Sequence, residues 1–396
     1  MSRTVVLAYS GGLDTSVAVK WLTERNHRVI AFMANVGQGD PTSEAIRRAK
    51  VAGAAAVVVR DLRREFIADY CFPALQAHAV YEGAYLLATA LSRPLIAKHL
   101  VEVARAHRAR AIAHGCTGKG NDQVRFEVTA RILDPSLQII APVREWEFRS
   151  REDEIRYARR HRIPINVTTR SPYSIDENLW GTSIESGVLE DPWTEPPADT
   201  YRSIASPERA AGKAAYTTIT FTRGVPAALN GRRFTPVALV ERLNALGAAH
   251  GIGRSDMMES RVVGIKSREV YESPAATMLL AAHTELERLV LDRELLRVKA
   301  GFADTYAHLI YSGFWFTPLK GALDAFVRET QRRVTGEVRV KLFKGSCRVV
   351  GRRSPHSLYR ERLATYSAKD EFDQSLAAGF IKLTGLPYEG SHKAGD

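Results

Sequence analysis

The chain has 396 residues, 45% hydrophobic and 25% charged, with a formal net charge of +12; at roughly 100–200 residues per domain this gives two or three domains that need neither disulfides nor structural metal to bury a core. Three cysteines, Cys71, Cys116 and Cys347, lie far apart without a CxxC spacing, which argues against a zinc ribbon or a thiol–disulfide motif and fits a reduced compartment. The excess arginine sits in scattered pairs (Arg47-Arg48, Arg63-Arg64, Arg352-Arg353) with no interleaved aromatics, so anionic small substrates are favoured over nucleic acid.

The first apolar run, Thr4–Tyr9, ends at Ser10-Gly11-Gly12 and reads as a strand, too short for a signal peptide. With no segment of transmembrane length, a cytoplasmic protein without membrane association is expected. Leu13–Arg25 reads as a helix, Arg28–Asn35 as a strand closed by Val36-Gly37-Gln38-Gly39, Ser43–Ala52 as a helix and Ala55–Arg60 as a strand. Helices near Arg63–Gln76 and Pro94–Ala106 precede strands at Ala111–His114 and Gln138–Ala141. Alternation of this kind predicts an α/β domain, a parallel sheet with helices on both faces and ligands at the carboxyl ends of its strands. The loops Ser10–Thr15, Asn35–Gln38 and Gly115–Asp122 then lie together.

Composition shifts after Pro164, and residues 171–212, with Ser171-Pro172, Asp191-Pro192, Pro196-Pro197 and Ser206-Pro207, read as a loop-rich connector. A strand at Tyr216–Arg223, a helix at Pro236–His250, helices across Ser273–Val334 and a hairpin turning at Lys344-Gly345-Ser346 make a second, α+β domain. The apolar stretch Tyr366–Leu386 needs a surface to cover it. The expected organisation is 1–165, a nucleotide-binding domain; 166–360, a second domain; and 361–396, an oligomerisation arm.

Two strings carry chemistry. In Ala8-Tyr9-Ser10-Gly11-Gly12-Leu13-Asp14-Thr15-Ser16, glycines permit a tight turn at a helix N-terminus, and Ser10, Thr15 and Ser16 add hydroxyl donors. This suits pyrophosphate; a bare Ser-Gly-Gly would more often be a capped turn. A bulky residue at Gly12 is expected to crowd the ligand and oppose an unusual backbone angle. There is no Walker A loop and no GxGxxG after a strand. In His114-Gly115-Cys116-Thr117-Gly118-Lys119-Gly120-Asn121-Asp122-Gln123-Val124-Arg125, the glycines allow close backbone approach, and Asn121 or Asp122 can cap the next helix. Asp122 and Arg125, three apart, share a helical face and can meet one zwitterionic ligand, or can form only a local ion pair.

The first string resembles the PP-loop of ATP pyrophosphatases, the adenine nucleotide alpha hydrolase-like fold, and the second resembles the argininosuccinate synthase family. Further similar strings are Ala34–Gln38, Tyr81–Tyr85 with Ser92-Arg93-Pro94 (on a citrulline-side helix), Ser174–Gly181, Glu185-Ser186-Gly187, Arg261–Glu272, Tyr311–Trp315 and Gly351–Pro355, so the likeness spans nearly the whole chain. Ala90 stands where some relatives carry serine, and Ser260 where asparagine is common.

The resemblance implies an ATP-dependent ligase that joins citrulline to aspartate through a citrullyl-adenylate, with AMP and pyrophosphate released. It implies ATP on Ala8, Tyr9, Ser10, Gly11, Gly12, Leu13, Asp14, Thr15, Ser16, Ala34 and Gly115. Citrulline falls to Tyr85, Asn121, Arg125, Ser174, Ser183, Glu259 and Tyr271, and aspartate to Thr117, Asn121 and Asp122. Asp14, Asp122 and Arg125 are the expected catalytic residues: Arg125 offers a fork to a carboxylate and Asp122 accepts from the aspartate amine. Mg2+ is implied on the phosphates, and no dedicated metal cage is visible. A homotetramer, a synthetase role for the second domain and a place in arginine biosynthesis complete what the likeness implies. A PP-loop tRNA-modifying enzyme would suit the basic charge, but the scattered cysteines and the strings of the second domain do not suit it.

Overall fold

The structure is a computed structural model that describes residues 3–39, 43–164 and 173–391. The expected domain boundary at 165/166 and the Ser171-Pro172 turn lie outside the described residues. The chain divides into two compact units, Met1–His356 and Ser357–Asp396.

The large unit begins with β1 (Arg3–Ala8), α1 (Leu13–Glu24), β2 (His27–Asn35), α2 (Ser43–Val51) and β3 (Ala56–Asp61). Then come α3 (Arg63–Glu65), a π-helical turn at Phe66–Cys71, α4 (Phe72–Ala77), α5 (Ala88–Ala106), β4 (Ala111–His114), α6 (Asp122–Leu133), β5 (Gln138–Ile140), α7 (Pro142–Glu145) and α8 (Arg151–Arg160). The five strands form one parallel sheet in the order β3-β2-β1-β4-β5. Its strands are continuous apolar runs because both faces are covered. Val6, Ile30 and Phe32 pack into one core with Leu91, Leu95 and Leu100 of α5, while Val5, Leu7, Val29 and Ala31 pack into another with Val17, Trp21 and Leu22 of α1.

Three expectations for this region need correction. Arg63–Gln76 is not a uniform helix: Pro73 has no N–H for the i→i−4 ladder, and the turn before it widens to π. The second helix starts at Ala88, well before Pro94. Its first N–H groups are capped by a side chain just upstream, the Thr89 and Ala90 amides donating to the Tyr85 hydroxyl at 3.0 and 3.2 Å. Tyr81–Tyr85 is no helix either; Glu82 and Gly83, at φ 46° and 77°, make a tight turn bridged from Tyr81 to Tyr85.

The stretch read as a loop-rich connector contains a hairpin, β6 (Ser174–Asn178) and β7 (Gly181–Glu185). There follow β8 (Ala215–Thr222), β9 (Val225–Leu229), β10 (Arg232–Arg233), α9 (Pro236–Ala249), β11 (Arg254–Ser260), β12 (Lys266–Glu272), α10 (Pro274–Val290), α11 (Arg293–Tyr311), α12 (Pro318–Thr330), β13 (Gly336–Phe343) and β14 (Ser346–Arg353). Strands β11-β12-β7-β6 form one antiparallel sheet and β10-β9-β8-β13-β14 another. The expected hairpin turns through Lys344 and Gly345, at φ 44° and 85°, the left-handed pair that a two-residue loop requires. The small unit carries α13 (Glu361–Ala364) and α14 (Leu376–Gly385).

A buried polar chain ties α10, α11 and the segments after α4 and α12 together. His78 Nε2 lies 2.8 Å from His283 Nδ1, His283 Nε2 lies 3.0 Å from Gln331 Oε1, and Gln331 donates to Glu287 at 2.6 Å. Lys299 Nζ stands 3.0 Å from the same carboxylate. The chain closes with both imidazoles neutral, His78 donating to His283 and His283 to Gln331. Burial lowers the His283 pKa to about 4. Between pH 6.5 and 4 the unfolded chain therefore binds a proton that the folded protein refuses, and stability falls as pH falls through that window. From pH 7 to 5 this one group contributes a loss of about 2 kcal/mol. A urea midpoint that drops less steeply in His283→Gln than in the parent is the expected result; equal slopes would show that His283 titrates normally.

Candidate active site

Strand direction gathers the site. The loop after β1, the loop after β2 and the loop after β4 all leave the carboxyl end of the parallel sheet, as chain order requires. They line a cleft of about 640 Å3 together with α5, α6, β6, β7, β11 and β12. Such a volume lies within the range of about 300–1,000 Å3 usual for small-molecule sites.

In the first loop, Gly11 takes the left-handed φ of 83°, and its carbonyl accepts from Arg48. Gly12 is ordinary, at φ −75°. The expected unusual angle therefore belongs to Gly11, not Gly12. Gly12 N donates to Ser10 Oγ at 3.3 Å, and the Ser10 and Thr15 hydroxyls pair at 3.1 Å. The first turn of α1 has no side-chain cap, so its amides lack acceptors within the helix. Ala8, Tyr9, Ser10, Asp14 and Thr15 line the cleft. Leu13 packs into the core, and Ser16 is fully buried, donating to the Gly12 carbonyl at 2.7 Å. The Ser16 hydroxyl, expected as an outward donor, is spent inside the turn.

The neighbouring loops are fitted to this one. Ala34 lines the cleft, and its carbonyl accepts from Gln38 at 2.6 Å. Gly115 packs so closely that a Cβ would stand 2.9 Å from Thr15 Cγ2. At Gly37 a Cβ would stand 2.3 Å from Leu179 Cγ, which seats the β6–β7 turn against the loop after β2.

At the other end of the cleft, Glu259 is buried and accepts from Tyr311 OH at 2.6 Å and from Tyr271 OH. Asn121 donates to Tyr311 OH at 2.8 Å and accepts from the Val262 amide at 2.8 Å, so its side chain does not cap α6 as expected. Tyr85 stacks on Tyr271 at 4.2 Å. Ser183 Oγ pairs with Thr89 Oγ1 at 3.0 Å; Ser174 and Thr117 are exposed on the cleft wall. Arg125, 3% exposed, donates from Nε to the Tyr311 carbonyl at 2.8 Å and from NH1 to Asp122 at 2.9 Å. Its fork is thus partly committed within the protein. Burial pushes the Asp122 pKa up, and the Arg93 and Arg125 guanidiniums more than reverse this, leaving it below the usual range.

Sequence reasoning gave no role to Arg93, Asp176, Glu185, Arg261 or Glu269, which also line the cleft. Arg261 donates to Glu269 at 2.9 Å and to Glu185. Burial, then the Glu185 and Glu259 charges, push the Glu269 pKa up to about 8. Arg261 and Glu269 share the string Arg261–Glu272, whereas Glu185, Arg93 and Asp176 meet their partners across long sequence separations.

A parallel sheet in this order, with a glycine turn and an uncapped helix start at its centre, defines a nucleotide-binding α/β protein of the PP-loop class. Residues 4–164 match the arginosuccinate synthase N-terminal HUP domain and residues 173–390 the arginosuccinate synthase C-terminal domain. Similar full-length proteins include the argininosuccinate synthases of Chlorobium phaeobacteroides (strain BS1; 56% identical, covering 96% of this chain and 95% of that one), Rubrobacter xylanophilus (54%, 97% and 94%) and Aquifex aeolicus (53%, 97% and 96%). The chain belongs to the argininosuccinate synthase family.

Proposed function

We propose that this chain ligates citrulline to aspartate at the expense of ATP, releasing AMP and pyrophosphate, in arginine biosynthesis. The observation that carries this reading is a match to both family domains over nearly the whole chain, with the glycine turn and the Asp122–Arg125 pair opening on one cleft. An assay with all three substrates, read as argininosuccinate formed, tests it; no product under any combination would sink it.

In this reading ATP lies on Ala8–Ser16, Ala34 and Gly115, with its β,γ-pyrophosphate against the first-turn amides of α1. Citrulline takes Tyr85, Asn121, Arg125, Ser174, Ser183, Glu259 and Tyr271. Aspartate takes Thr117, Asn121 and Asp122. The protein orients three charged reactants and stabilises charge on the departing pyrophosphate. Asp14, on the cleft beside the glycine turn, is a hard oxygen donor fit for Mg2+ that is otherwise held by phosphates and water, which would neutralise phosphate charge. No helix among the described residues is long and apolar enough to cross a membrane, which is compatible with a cytoplasmic enzyme.

The reading includes a homotetramer held in part by the small unit. On α14, Leu376, Phe380 and Leu383 share a face and are 68%, 68% and 72% exposed. Deleting residues from Tyr366 onward is expected to give smaller or aggregated species in light scattering; an unchanged soluble tetramer would refute the arm.

A further inference from the structure

The Arg93 guanidinium holds two carboxylates at once. Its Nε donates to Asp122 Oδ2 at 2.8 Å, and its NH2 donates to Asp176. Arg93 stands on α5, Asp122 on the first turn of α6 and Asp176 on β6, so one side chain joins three elements at the cleft. Arg125 takes the other oxygen of Asp122 and is fixed behind by the Tyr311 carbonyl. Asp122 therefore has both oxygens held, each by a cation, and has no rotational freedom left.

The same chain of contacts continues to the far side. Thr89, whose hydroxyl pairs with Ser183 at 3.0 Å, also stands beside Asp176 and favours its ionised form. Thr89 and Arg93 are four apart on one helix face. The run Ser183–Thr89–Asp176–Arg93–Asp122 links a residue proposed for citrulline to the residue proposed for the aspartate amine. Burial, and then the nearby Asp122 charge, raise the Asp176 pKa, and the Arg93 charge offsets only part of this.

We propose that Arg93, with Asp176 as its second anchor, is a positioning residue that fixes Asp122 so that the aspartate amine it holds faces the activated ureido carbon in the amine-transfer half of the reaction. The inference rests on the ligase reading above. Lysine cannot replace the function fully, because a single ammonium lacks the planar fork that reaches both carboxylates. Adenylation of citrulline draws on the loop after β1, on Glu259 and Tyr271, and on Arg125, which the Tyr311 carbonyl still fixes when Asp122 shifts.

The test measures two rates on the full-length enzyme: citrulline-dependent exchange of labelled pyrophosphate into ATP, and argininosuccinate formation against aspartate concentration. In Arg93→Met, kcat/KM for aspartate is expected to fall about a hundredfold, the scale of a misplaced reacting group. Exchange and the KM for citrulline are expected to stay within about threefold. Arg93→Lys should recover part of the loss, and Asp176→Asn should show the same split, smaller, at about tenfold. If Arg93→Met fails to fold, Asp176→Asn decides. Loss of exchange and ligation in equal measure, or an unchanged kcat/KM for aspartate, overturns the inference. A parent enzyme with no citrulline-dependent exchange overturns the ligase reading itself.

Discussion

Gly11→Val is expected to lose ATP binding by at least about a hundredfold in calorimetry while the fold survives. At Gly11 the backbone has φ 83°, a conformation in which a β-branched side chain is strained by about 1–3 kcal/mol. A Cβ there would also meet the Ala45 Cβ at 3.0 Å, tighter than ordinary contact. Moving the peptide to relieve either contact would pull the Gly11 carbonyl from Arg48 and re-aim the amides that follow. Gly12→Val is expected to cost less, since φ is −75° and a Cβ would meet only Ser10 Oγ, at 3.4 Å. Gly11→Val that binds ATP within a few-fold of the parent would make the loop a mere turn. Equal losses at the two positions would refute the backbone argument.

The parallel sheet was legible because its strands are buried on both faces, so Val5–Leu7 and Val29–Met33 read as unbroken apolar runs between glycine turns. The hairpin at Ser174–Glu185 was not, and the reason is functional. Its strands put Ser174, Asp176, Ser183 and Glu185 on the cleft, so they lack apolar alternation. A local asparagine turn and two contacts distant in sequence make it a hairpin. Asn178 Oδ1 accepts from the Trp180 and Gly181 amides, Asn178 Nδ2 donates to the Ala88 carbonyl, and β7 pairs with β12 at Val270–Glu272. The start of α5 was hidden likewise, because its cap is a tyrosine hydroxyl rather than Ser, Thr, Asp or Asn.

The site divides in the same way. Asp122 and Arg125 lie three apart on one helix, and sequence spacing suffices to pair them. Arg93 meets Asp122 and Asp176 across 29 and 83 residues, and no local pattern announces such a bridge. Glu259 was recognisable as a carboxylate for a polar ligand, yet two tyrosine hydroxyls already donate to it. Whatever enters must compete with, or rearrange, a network that is satisfied without it.

Heavy oxygen placed at the ureido position of citrulline is expected to end in AMP. The glycine turn and the first-turn amides of α1 suit the β,γ-pyrophosphate as one unit, which leaves the α-phosphorus open to attack from the opposite side. The ureido oxygen is a poor leaving group until it carries the adenylyl group. Its attack forms the oxygen–phosphorus bond and breaks the bond from phosphorus to pyrophosphate. The aspartate amine then bonds to the ureido carbon and gives up its proton, and the carbon–oxygen bond breaks with the electron pair leaving on AMP. Oxygen thus passes from citrulline to the nucleotide without touching water. Glu259 and Tyr271, joined by a hydrogen bond, and Arg125, held by Asp122 and the Tyr311 carbonyl, are rigid enough to hold that oxygen in line. Mass spectrometry of the nucleotide should find one labelled atom per argininosuccinate formed. Label in water or pyrophosphate, or ADP as the nucleotide product, would sink the adenylate route and the ligase reading with it.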